Sequence, residues 1–192
     1  MHTFPLCDYI QYIEMGDWEG VAGLMLSSVA KLQKAGADFA ICPDNTIHQA
    51  FDLVIEKSVL PWLNIAEEVA SEAARCQYRR IGLFGTRYLM EGPVYPAELA
   101  AFDLGYHIPD SDERGRINEI IFDELVNGLF TDESRIYFAK VINKFKKKGC
   151  DAVVLGCTEI PLLITSEDSS LPTLNSTRIL ARAALREATG SK

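Results

Sequence analysis

Val153-Val154-Leu155-Gly156-Cys157-Thr158-Glu159-Ile160-Pro161-Leu162-Leu163 is the stretch whose reading decides the fold. It opens as a short, wholly apolar run rich in valine, the signature of a strand buried on both faces. Gly-Cys-Thr-Glu then replaces bulk with small and polar groups, which puts a thiol at the strand's carboxyl end. Open α/β sheets bind ligands there, because loops leave the layered core at that edge yet stay fixed by the strand. Ile160-Pro161-Leu162-Leu163 suits the start of a helix with proline in its first turn. Free N–H groups at that start are expected to lower the thiol pKa and to offer an anion seat. Taken alone, Cys157 reads first as a small buried apolar residue; its company of Gly, Thr and Glu at a strand end reverses that in favour of a site.

Moving towards the N-terminus, the pattern repeats. Asp132-Glu133-Ser134 opens a helix through Ile136, Val141, Ile142 and Phe145 to Gly149, and Asp110 to Glu113 opens another through Ile117, Ile120, Ile121 and Leu125. Tyr106-His107-Ile108 is a short extended piece. Ile81-Gly82-Leu83-Phe84-Gly85-Thr86-Arg87 is a buried strand with Gly85 for a tight turn and Thr86 at its carboxyl end. Earlier still, Ala37 to Cys42 reads as a strand leading into Pro43-Asp44-Asn45-Thr46-Ile47-His48, again a polar cluster before a helix. Asp17 caps a helix that Gly36 closes, Pro61 to Ile65 is extended, a helix follows from Ala66 to about Cys76, and His2 to Leu6 is a further extended candidate. Downstream, Pro172 to Asn175 is a last strand or extended link before a terminal helix from Ser176 to Glu187.

Strands alternating with helices imply an α/β fold with parallel sheets. Two such series suggest two pseudosymmetric open lobes facing a cleft: residues 1–78 form the first, joined by the terminal segment 172–192, and residues 79–171 form the second. Ligand sites favour such interfaces.

The 192 residues, 48% hydrophobic, are enough for a packed core. A formal net charge of −8 argues against nucleic acid and anionic membrane as partners, which need clustered cations. The one basic run, Lys144 to Lys148, suits a helix C-terminus. No apolar run is long enough to span a bilayer and no basic n-region opens the chain, so a cytoplasmic protein is expected. The five cysteines are scattered, without CxxC or Cys/His ligand spacing, so neither a disulfide framework nor a metal site is expected.

With Pro43-Asp44-Asn45-Thr46-Ile47-His48, Gly85-Thr86-Arg87 and Gly156-Cys157-Thr158-Glu159-Ile160-Pro161-Leu162-Leu163 in this order, the sequence resembles the aspartate/glutamate racemase superfamily, and most of all its aspartate racemase branch. The resemblance runs over nearly the whole chain. It implies two lobes that each supply one cysteine to opposite faces of a bound amino acid or dicarboxylate, an isomerase without cofactor or metal, and a homodimer. It also implies that Asn45, Thr46, Thr86 and Thr158 hold the α-carboxylate. The family's first motif usually reads Pro-Cys-Asn-Thr; here Asp44 takes the cysteine's place, and Cys42 lies two residues earlier. The family also usually begins with a strand and a Gly-Gly-x-Ser-type loop, so this chain reads as starting at the second strand. Leu89 and Asn175 stand where a hydroxyl residue and an aspartate are often found.

Removing an α-proton needs a base on one side, an acid on the other, and donors for the carbanion's charge. Cys157 and Asp44 are the candidates for the two sides, Asp44 if desolvation raises its pKa towards neutrality. Otherwise Asp44 is an ionised first-turn cap. His48, one helical turn past Asp44, is placed to orient it or a substrate carboxylate, or is structural. Glu159 serves the thiol or a substrate ammonium, or is a first-turn carboxylate. Arg87 pairs with a distal carboxylate, or is a solvated arginine. Asn45 and Thr46 alone would be turn residues. The alternatives to racemisation are a one-thiol decarboxylase or isomerase of the same superfamily, and a non-catalytic remnant.

Overall fold

The computed structural model describes residues 1–190. Its second half is built on a parallel sheet of order β4-β3-β5-β6, with β3 at Arg80–Phe84, β4 at Gly105–His107, β5 at Ala152–Leu155 and β6 at Thr173–Asn175. Strand β5 sends Val153 and Leu155 into one apolar cluster and Ala152 and Val154 into another. That period of two explains why its sequence is apolar throughout: both faces are covered. On one face lie α7 (Ser111–Glu119), a π-helical turn (Ile120–Glu124) and α8 (Asp132–Lys147), which contribute Ile117, Ile120, Phe138 and Phe145. On the other lie α4 (Ile65–Arg75), α6 (Pro96–Ala101) and α10 (Ser176–Thr189), through Val69, Leu99 and Ile179. A Cβ on Gly82 would stand 2.3 Å from the Phe145 ring, so glycine is what lets α8 lie so close to β3.

The first lobe is mostly helical. Helices α1 (Leu6–Met15), α2 (Trp18–Lys34) and α3 (Phe51–Lys57) surround a parallel pair, β1 (Ala40–Ile41) and β2 (Trp62–Leu63), and pack through Ile13, Val21, Met25, Ile47 and Val54. Asp17 caps α2 by accepting from the Gly20 N–H at 2.9 Å, and Gly36 at φ +87° ends it, as the sequence suggested.

Several expectations are corrected. His2 to Leu6 forms no strand: Leu6 begins α1, whose Leu6, Ile10 and Ile13 recur at helical spacing inside a segment that reads as merely acidic and aromatic. The strand expected over 37–42 keeps two residues, because only Ala40 and Ile41 have a partner to pair with. Two short helices, α5 (Arg87–Glu91) and α6, were not anticipated, and the helix opened by Asp110 leaves regular geometry after Glu119. Helix α4 covers the four-stranded sheet together with α10, which packs on it, while β6 pairs within that sheet. Residues 191 and 192 lie outside the described residues. Among the described residues no helix is long and apolar enough to cross a membrane.

Candidate active site

The carboxyl ends of β1 and β5 open onto one cavity of about 120 Å³ between the lobes. Asp44 and Thr46 reach it from the first lobe; Thr86, Cys157, Thr158 and Glu159 reach it from the second. Gly156 fixes where the chain leaves β5: its N–H donates to the Phe84 carbonyl at 2.9 Å, and a Cβ there would stand 2.5 Å from the same oxygen. The strands therefore stay paired to their last residue, and Cys157 leaves the sheet at a rigid point. Helix α1 roofs the cavity with Leu6, Tyr9, Ile10 and Ile13, while Ile121 and Phe122 of the π turn form a wall.

The Cys157 thiol, 9% exposed, donates to Glu159 Oε2 at 2.9 Å. Burial, then the Glu159 charge and this hydrogen bond, push its pKa well up; the N–H groups of Glu159 and Ile160 pull it down and are outweighed. This corrects the expectation of a lowered pKa. Helix α9 (Ile160–Leu163) is a single turn, too short to build a strong macrodipole. The resting group is a thiol that holds its proton.

Asp44 is half-buried, and its Oδ1 accepts from the Ile47 N–H at 3.1 Å. Burial raises its pKa above the ordinary 3.8, the N–H groups of Ile47 and Thr46 resist, and the Glu159 charge adds to the rise. Cys42 does not line the cavity; it packs against the first-lobe core, where burial first and the Asp44 charge second push its thiol up to about 12.

Thr46 Oγ1 and Thr86 Oγ1 are hydrogen-bonded at 3.0 Å across the two lobes, and Thr86 Oγ1 also accepts from the Leu89 N–H at 3.2 Å as the cap of α5. Asn45 borders the cavity, but its side chain is 2% exposed and both of its polar atoms are bonded to other parts of the protein. Tyr95 OH donates to its Oδ1 at 2.7 Å, its Nδ2 donates to Ser176 Oγ at 3.0 Å, and that hydroxyl donates to the Leu155 carbonyl at 3.0 Å. Asn45 thus ties the first-lobe motif to β5 and α10. His48 does not line the cavity. Its Nδ1 bonds the Asp44 carbonyl at 2.7 Å rather than the carboxylate, Nε2 accepts from the Ile65 N–H at 3.5 Å, and the ring stacks on Phe51. Burial lowers its pKa to about 4, so it is neutral, which makes Nδ1 the donor. Arg87 is exposed, outside the cavity lining, with its guanidinium 5.9 Å from the Tyr88 ring centroid.

Sequence reasoning therefore found the two strand-end clusters but missed the α1 roof, Tyr88, the π-turn wall and the Tyr95–Asn45–Ser176 link. The apolar helical spacing from Leu6 to Ile13 was a legible signal for the first; nothing local marks the link, whose members lie 50 and 131 residues apart. Among the described residues no cluster of three or more His, Cys, Asp or Glu is arranged to hold a metal ion.

The fold corresponds closely to solved structures of the Asp/Glu racemase kind over nearly its whole length. The chain belongs to the Asp/Glu/Hydantoin racemase family, matched over residues 1–184. A candidate Asp/Glu racemase from Yersinia pestis superimposes with a TM-score of 0.88 at 33% identity, over 98% of this chain and 82% of that one. An aspartate racemase homologue from Pyrococcus horikoshii gives 0.84 at 29% identity with the same coverage. The broad specificity amino-acid racemase RacX of Bacillus subtilis is 20% identical over 168 residues, 87% of this chain and 72% of RacX.

Proposed function

We propose that this protein is a cofactor-independent amino-acid racemase that moves the α-proton across the cleft between Asp44 and Cys157. In one direction the Asp44 carboxylate takes the α-proton and the Cys157 thiol delivers its own to the opposite face. In the other direction the thiolate so formed takes the proton and the Asp44 acid returns one. Thr46, Thr86, Thr158 and backbone N–H groups at the two strand ends donate to the substrate carboxylate as negative charge spreads onto it from the α-carbon. Glu159 holds the thiol in place and meets the substrate ammonium. The α1 roof limits water, which strengthens these interactions. The reading extends to a homodimer working in the cytoplasm.

The observation that carries this reading is that Asp44 and Cys157 line one cavity from different lobes. Family membership and the similarity to RacX support it. Asp44 in place of the cysteine usual in the family favours a second reading, a one-thiol decarboxylase or isomerase of the same superfamily in which Cys157 alone protonates an intermediate. Incubation with a panel of L-amino acids, L-aspartate included, and with malonate- and maleate-type acids separates them. The racemase reading requires D-isomer by chiral chromatography with the carboxylates intact. Release of carbon dioxide or cis-trans conversion instead would establish the second, and an inert protein would be a non-catalytic remnant.

A further inference from the structure

We propose that the site takes amino acids with uncharged, apolar side chains in preference to dicarboxylic ones, an inference that rests on the racemase reading for the reaction but stands on cavity chemistry for the binding preference. Two acidic groups, Asp44 and Glu159, line the cavity, and among the described residues no lysine or arginine does. The guanidinium that the sequence offered for a distal carboxylate, Arg87, stands outside the lining and faces Tyr88. Arg116 is occupied by Glu119 and Glu124.

An amino-acid zwitterion carries no net charge, so its ammonium can face Glu159 while its carboxylate takes the hydroxyl and N–H donors. A second carboxylate on the substrate would have no cation to meet and would lie in a confined space with two other carboxyl groups. Burying a charge under those conditions is heavily penalised. An apolar side chain meets the opposite situation, because Leu6, Ile10 and Ile13 of α1, Ile121 and Phe122 of the π turn and Val126 form most of the remaining wall, beside Tyr9 and Tyr88. Removing methyl and methylene groups from water against that wall is favourable. The same wall opposes a lysine side chain, whose ammonium would have to be desolvated against it. A cavity of about 120 Å³ has room for on the order of four waters at about 30 Å³ each, which disfavours large aromatic side chains.

The test uses the full chain with L-leucine, L-methionine, L-aspartate, L-glutamate and L-lysine, each titrated by thermal shift and each followed by NMR for α-deuterium exchange in heavy water. Leucine and methionine are expected to half-saturate at concentrations about tenfold lower than the charged amino acids and to exchange about tenfold faster. If they bind preferentially but do not exchange, the substrate class holds and the racemase reading fails. Tighter binding of aspartate, glutamate or lysine, or no binding by leucine and methionine, overturns the class. Ile10→Lys, on a half-exposed position of the α1 wall, supplies a cation and should shift the leucine-to-aspartate preference about tenfold towards aspartate. An unchanged ratio in that variant would show that α1 does not read the side chain.

Discussion

The Cys157 thiol and the Glu159 carboxylate are joined by a 2.9 Å hydrogen bond in which sulfur is the donor, two residues apart at the end of β5. Since a carboxylate that accepts from a thiol opposes its ionisation, Glu159 adds to burial in holding Cys157 in its acid form.

Glu159→Gln should therefore lower the Cys157 pKa, because it removes the charge that ranks second only to burial in raising it. Measured as the pH dependence of thiol alkylation, the midpoint is expected to move down, with faster alkylation at fixed pH below it. An unmoved midpoint would mean that burial alone sets the thiol.

Asp44→Asn separates two roles in one variant. As the partner base it should slow conversion in at least one stereochemical direction by about 10²-fold or more. Its stability effect has a defined sign. The folded state raises the Asp44 pKa, so the native protein binds that proton more tightly than the unfolded chain, and stability falls as pH rises from about 4 through the folded value. Relative to wild type, Asp44→Asn should melt higher at pH 8 and lose that advantage near pH 4. Equal melting differences at both pH values would contradict a desolvated carboxyl.

Asn45→Ala should destabilise by about 2–4 kcal/mol, since it strands the buried Tyr95 hydroxyl and frees Ser176. The check is urea denaturation of Asn45→Ala, Tyr95→Phe and the double variant. The double variant is expected to be less destabilised than the sum of the singles, and additive losses would mean that the bond contributes nothing.

His48 should stay neutral in the folded protein to about pH 4, against an ordinary 6.5. That gap corresponds to about 3 kcal/mol of stability, present above 6.5 and lost as pH falls to 4, because only the unfolded chain takes up the proton there. Asp44 acts in the opposite sense over part of this range, so the imidazole proton shift by NMR is the cleaner readout. A titration midpoint near 6.5 would show that the ring is solvated.

What was legible in the sequence was whatever a short window encodes. The apolar run at Val153–Leu155 and the polar residues after it gave the strand and the thiol at its end. Asp17 and Gly36 gave the limits of α2. The site's polarity was not legible, because it depends on distance through space: Glu159 is a first-turn carboxylate in sequence and a thiol's acceptor in the fold. Arg87 follows Thr86 directly, yet the α5 cap turns it to solvent while Thr86 faces the cleft. His48 sits one turn from Asp44 as the spacing required, but its ring satisfies backbone groups of residues 44 and 65. The order of strands likewise joined β6 to β5 and left β1 with β2 alone, a choice that long-range pairing makes and local propensity does not.

The central claim is that Cys157 carries the proton on the second-lobe side of the cleft. It is tested most directly by α-deuterium incorporation in heavy water, comparing wild type with Cys157→Ala on an amino acid that the wild type racemises. The substitution removes only a sulfur at a strand end, so the variant should fold normally by circular dichroism while its exchange falls to background. Exchange at the wild-type rate in a folded Cys157→Ala protein would contradict the account.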